Sequence, residues 1–191
     1  MKRIILTFGL ISIITVTSFG VSAYNQTDKI EASNSNPNKS KVEEVILHPD
    51  FITDVTDDKK LVGVSDNVFL GKVIKQTGTK SIEEYLPETQ YSVEIIENIK
   101  GDLSGIVTVN QQGGYLEYED GQKELVLFEG DELLVEGNTY LFSTRYLESE
   151  NWYTLIPAYG NLTAETESIQ DDLVENFNDA LDEEIVPTEL K

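Results

Sequence analysis

The chain has no cysteine, one histidine, one methionine and one tryptophan in 191 residues, and only 14 lysines and arginines against 35 aspartates and glutamates. Without cysteine there is no disulfide, no thiol nucleophile, no thiolate-bound zinc or iron–sulfur cluster, and no attachment point for a thioether-linked lipid. His48, the single histidine, cannot build a histidine-rich zinc site alone. No Gly-x-Ser-x-Gly pattern offers it a serine to activate, and beside Pro49 it reads as a solvated side chain. The formal net charge of −21 removes the basic surface that nucleic acid and anionic membranes need in a partner. A Gram-positive envelope is polyanionic as well, so the acidity reads first as a means of staying soluble.

Long apolar runs are missing too, except at the start. Lys2 and Arg3 precede an almost uncharged stretch from Ile4 to Phe19, and Val21-Ser22-Ala23 supplies small residues at the −3 and −1 positions of a cleavage site. Residues 1–23 therefore read as a signal peptide, cut after Ala23, and the product is expected to be secreted. The alternative is an uncleaved membrane anchor. It is disfavoured because the apolar stretch is about 16 residues, interrupted by Thr7, Ser12, Thr15, Thr17 and Ser18, where a spanning helix needs about 20. The chain ends in VPTELK rather than in an apolar sorting tail. An export product without cysteine fits a bacterial source.

Residues 24–44 are rich in Asn, Ser and Lys and poor in apolar residues, and read as a flexible linker. The domain is expected over 45–185, with a tail at 186–191. His48 to Lys60 has scattered apolar residues and reads as a loop or a short helix. From Val62 the apolar period falls to two. NVFLGKVIKQ, TQYSVEIIENIK and GIVTVNQQ form three strand-like segments, with a phase shift at Ile96 and Ile99 and a break at Gly113-Gly114. YLEYEDGQKELVLF reads as a hairpin around a type I′ Asp120-Gly121 turn. GNTYLFSTRYLE and NWYTLIPA follow, joined at Ser149-Glu150.

About six short strands at this spacing point to a mainly β fold, an OB-like antiparallel β-barrel, with a β-sandwich as the alternative. After Gly160 the period changes again. Ile169, Leu173, Phe177 and Leu181 recur every four residues and predict an amphipathic C-terminal helix over 164–184, capped by Thr163. Asp182, Glu183 and Glu184 oppose the dipole at its end, so the last turn is expected to fray.

With these strands placed, SDNVFLGKVIK, then YSVEIIENIKGDLSGIVTVNQQGG, then EGNTYLFSTRY resembles bacterial exported proteins whose OB-like barrel is of the type in tissue inhibitors of metalloproteinases. The points in common are Gly71, Lys100-Gly101 and Gly137 to Phe142, over roughly residues 62–160. The resemblance implies the barrel. It does not carry the zinc-chelating mechanism of the animal inhibitors, which use an N-terminal cysteine that this chain lacks.

Carboxylate pairs are frequent: Asp57-Asp58, Glu83-Glu84, Glu117-x-Glu119-Asp120 and Asp182-Glu183-Glu184. Two carboxylates hydrolyse a glycosidic bond only when they face each other across a cleft, which spacing alone does not reveal. Glu117, Glu119 and Asp120 are candidate calcium ligands without the spacing of an EF-hand loop, and turn chemistry explains Asp120-Gly121 sufficiently. The better binding candidates are aromatic: Tyr115, Tyr118, Tyr146, Trp152 and Tyr153, on or near strand ends. Alternation puts Trp152 and Tyr153 on opposite faces, so one of the two is expected to be buried. No cofactor and no catalytic residue is assigned. The function expected is a non-enzymatic extracellular module for an unidentified protein or small ligand. The alternatives are a protease-inhibitor-like module acting through a loop and a carboxylate-dependent hydrolase.

Overall fold

The computed structural model describes residues 42–83 and 86–190. The leader at 1–23, the linker as far as residue 41, the Glu84 half of the Glu83–Glu84 pair and Lys191 lie outside the described residues. Among the described residues, nine strands and two α-helices follow in order. The strands are β1 (Glu43–Leu47), β2 (Asn67–Gly78), β3 (Glu88–Lys100), β4 (Ile106–Gln112), β5 (Gly114–Glu117), β6 (Lys123–Phe128), β7 (Thr139–Leu147), β8 (Trp152–Leu155) and β9 (Asn161–Thr163). Helix α1 spans Asp58–Val64 and α2 spans Glu167–Asp182, with a 3₁₀ turn at Thr188–Leu190. Glu43 and Glu44, assigned to the linker from composition, are already the first residues of a strand.

Five strands close into a barrel in the order β2-β3-β4-β8-β7, with β7 pairing back on β2. Four of the five seams are antiparallel, and the closing β4–β8 seam is parallel and short, matching Val109 with Tyr153 and Asn110 with Thr154. β9 extends the sheet beyond β7. β1, β6 and β5 make a separate small sheet in which β1 runs parallel to β6.

The period of two in β2 sorts its side chains into two cores. Phe69 and Val73 point into the barrel with Tyr91, Val93, Val109, Tyr140, Phe142 and Leu155. Val68 and Leu70 point outward and join Leu141, Ile156 and the apolar faces of α1 and α2. Gly71 lies on the interior row, where a Cβ would sit 2.7 Å from Val93 Cγ1. Its lack of a side chain lets β2 and β3 approach where the register slips. Further slips along this seam carry Ile99 into the outer core, while Ile96 is left exposed. That is the phase shift seen in the sequence. Leu134 joins the interior core, and its segment is held by the buried Gln111 side chain, which accepts from Leu134 N (3.0 Å) and donates to Glu132 O (2.8 Å).

Three local expectations are corrected. The β5–β6 hairpin does not turn through a two-residue type I′ pair, because that turn needs positive φ at both central residues and only Gly121 has it, at +83°. Gly121 N instead donates to Tyr118 O and Tyr118 N to Gln122 O, a three-residue loop ending in a left-handed glycine. Helix α2 starts later than expected. Thr163 belongs to β9, and Thr166 is the cap, its hydroxyl oxygen accepting from Ile169 N at 3.3 Å. Helix α2 also ends sooner, at Asp182 rather than 184, and the acidic residues beyond it find partners. Glu183 pairs with Lys59, Glu184 with Lys100 at 2.9 Å, and Ile185 N donates to Lys59 O. Lys100 also donates to Val62 O, the carbonyl end of α1, at 2.8 Å. Thus the lysine of the Lys-Gly turn ties both helices to the barrel.

Candidate functional site

Two depressions distinguish the surface, and they differ in chemistry. The first, about 710 Å³ and open, lies between α1 and α2 and is lined by Asp57, Asp58, Lys59, Asn176, Asp179 and Asp182, among others. Several of its charges are committed to structure. Asp57 caps α1 by accepting from Lys59 N (3.0 Å), and Lys59 is paired with Glu183. Burial, with Asp57 alongside, raises the Asp58 carboxyl above its ordinary value.

The second is a cleft of about 390 Å³, walled mainly by apolar side chains. It is built from segments far apart in sequence. β1 delivers the chain to His48 and Pro49, after which Phe51 turns in to pack on the outer core and meets the Tyr159 ring edge-on at 5.9 Å. The turn behind it is fixed by Asp54, whose Oδ1 accepts from both the hydroxyl (2.6 Å) and the N–H (3.1 Å) of Thr56. The hydroxyl bond is the main reason the Asp54 carboxyl lies below its ordinary value. This turn swings Val55 into the core and leaves Ile52 exposed at the cleft edge.

The opposite wall comes from strand ends. Phe128 closes β6, and Gln112 closes β4. Ile156 and Pro157 follow β8 in a turn held at both sides. Gly160 N donates to Ile156 O at 2.6 Å, and Ala158, with a left-handed φ of +63°, donates its N–H to Asp131 Oδ2 at 2.9 Å. Burial raises the Asp131 carboxyl despite that bond. Gly160 has no alternative here, because a Cβ would lie 2.5 Å from Ile156 N. Leu190, in the 3₁₀ turn, reaches the rim.

Five polar side chains share the lining with this apolar wall: His48, Asp50, Thr53, Gln112 and Arg145. His48 Nδ1 is 2.9 Å from Glu129 Oε2, both side chains well exposed, so the histidine is solvated as the sequence suggested. Gln112 is half-buried. Arg145 extends from β7, its Nε 3.8 Å from Asp66 Oδ2, which itself accepts from Tyr146 N at 2.9 Å. The sequence has one other arginine, Arg3.

The aromatic candidates are divided between two places. Tyr146 and Tyr153 face each other across the β7–β8 seam, ring centroids 5.0 Å apart. Tyr115 and Tyr118 stand on the β5–β6 hairpin, 58% and 43% exposed, and Tyr118 donates to Glu124. Trp152 is the buried member of its pair, under Lys80 at 5.7 Å from the ring, and its Nε1 has no partner among the described groups. None of these rings lines the apolar cleft. Of the calcium candidates, Glu117 pairs with Lys123 at 2.9 Å and Asp120 accepts from Gln122 N, while Glu119 makes no described contact. Among the described residues no three His, Asp or Glu side chains gather as a metal-binding set.

Sequence reading missed the cleft because its walls, Phe51, Phe128, Ile156 and Pro157, are each unremarkable in their own segment. One signal was available. An acidic chain with a single arginine after Arg3 draws attention to where that arginine goes. No protein-family model matches the chain, and no curated protein matches it in sequence.

Proposed function

We propose that this protein is an exported, non-enzymatic binding module that takes a small, largely apolar ligand in the cleft beneath the His48–Val55 segment. The observation that carries this reading is the make-up of the cleft: a concave apolar wall with a few convergent polar groups, within the size range of small-molecule sites. Export, with cleavage after Ala23, supplies the setting. The acidic groove supports a carboxylate-dependent hydrolase less well, because capping and ion pairing already occupy part of its charge.

A second reading follows from the resemblance to the inhibitor-type barrel: a module that docks on an extracellular protein through a loop. Its support is the β5–β6 hairpin, which presents Tyr115 and Tyr118 to solvent. Nitrogen-15 chemical-shift mapping with decanol as a neutral apolar probe separates the two. The cleft reading expects shifts concentrated at Phe51, Ile52 and Phe128. Shifts confined to Tyr115–Tyr118, or none with millimolar probe, would remove it.

A further inference from the structure

Resting on the cleft reading, we infer that the ligand is an apolar monocarboxylate whose head group is held by Arg145. In a chain of net charge −21, an apolar cleft would be expected to have an acidic or neutral rim. This one instead counts Arg145, the only arginine besides Arg3, among its lining residues, at the edge where a neighbouring depression holds Asp66. Arg145 is half exposed and has no hydrogen-bonded carboxylate among the described residues. Its nearest, Asp66, lies 3.8 Å from Nε and is already an acceptor for Tyr146 N. A guanidinium has five N–H donors in a planar fork that matches a carboxylate with two parallel bonds. The Asp66 contact engages it only loosely, so the fork remains available to a ligand.

Asp50 is the one carboxylate among the lining residues, and His48, the remaining ionisable group besides Arg145, is held beside Glu129. A cationic head group would meet Asp50 but also Arg145. A neutral one would leave the fork unused. A carboxylate at the rim with its hydrocarbon against Phe51, Phe128 and Ile156 satisfies both the charge and the wall. Apolar surroundings strengthen that pairing relative to bulk water. The global negative charge acts mainly beyond about 8 Å, where physiological salt screens it.

The test is calorimetric titration of the exported chain at physiological salt with decanoate, decanol and decylamine. Decanoate is expected to bind at least about tenfold tighter than decanol, a difference of about 1.4 kcal/mol, and decylamine weakest. Arg145→Gln should bring decanoate down to the level of decanol and leave decanol unchanged. Arg145→Lys, which keeps the charge and loses the fork, should fall between, and Asp50→Asn should tighten decanoate. Equal binding of decanoate and decanol, or a preference that survives Arg145→Gln, overturns the carboxylate assignment while leaving the cleft reading intact. If none of the three amphiphiles binds, the cleft reading falls with it.

Discussion

Replacing Phe177 by alanine should cost about 3–5 kcal/mol, the range for deleting a buried aromatic side chain. The structure gives the reason. Phe177 is 1% exposed and is the largest α2 side chain in the outer core, among Val68, Leu70 and Leu141 of the barrel and Leu61 and Val62 of α1. Part of the loss is transfer of the ring out of an apolar site. The rest is the void, which rigid strands on one side and α1 on the other leave little room to close. With a urea slope of about 2 kcal/mol/M, the unfolding midpoint should fall by about 2 M at unchanged slope. Asp172, exposed on the same helix, is the control, and Asp172→Ala should change stability by no more than about 0.5 kcal/mol. Urea unfolding followed by Trp152 fluorescence and by circular dichroism measures both. A Phe177→Ala midpoint indistinguishable from that of Asp172→Ala would refute the packing of α2 on the barrel.

Gly71→Ala should destabilise by about 1–3 kcal/mol, since its Cβ must displace Val93 on one side and Phe142 on the other; thermal unfolding measures it. Burial pushes the Tyr91 phenol up to about 12, above its unfolded value of about 10. The folded state therefore keeps a proton that the unfolded chain has lost, and stability falls as pH rises from about 10 to about 12. Tyr91→Phe should flatten that alkaline decline in denaturant midpoints. Asp131 is also raised by burial, so the folded state holds its proton more tightly and stability declines as pH rises through the acid range above its ordinary value. Asp131→Asn should be relatively more stable than the parent at neutral pH than at pH 3, and the opposite trend would reject the assignment. Amino-terminal sequencing of the secreted protein should begin at Tyr24.

The barrel was legible because its signal is local and periodic. Val68 and Leu70 against Phe69 and Val73 alternate in the sequence as they do between the two cores. Leu173 and Phe177 mark the buried face of α2 by their spacing, although Val174 and Ala180 share that face more than the exposed Ile169 does. What did not come through were features that depend on partners distant in the chain. The parallel β4–β8 seam joins Val109 to Tyr153, and no local pattern announces it. The first two residues of β1, Glu43 and Glu44, looked like linker because the start of a strand at the edge of a small sheet buries little. The turn at Asp120-Gly121 was misread because the dipeptide fits several hairpin loops, and its type depends on where Glu117 and Lys123 pair. The candidate cleft was the least legible of all, since six separated segments and one arginine meet only after the barrel closes.

Decanol affinity measured in two variants of the whole exported chain locates the binding site. Thr53→Trp fills the cleft with a bulky ring from one of its own lining positions. Tyr115→Ala combined with Tyr118→Ala strips the exposed hairpin instead. The first is expected to lose at least about tenfold in affinity, about 1.4 kcal/mol, and the second to bind as the parent does. Undiminished binding by Thr53→Trp together with loss in the tyrosine variant would contradict the cleft reading and move the binding site to the hairpin.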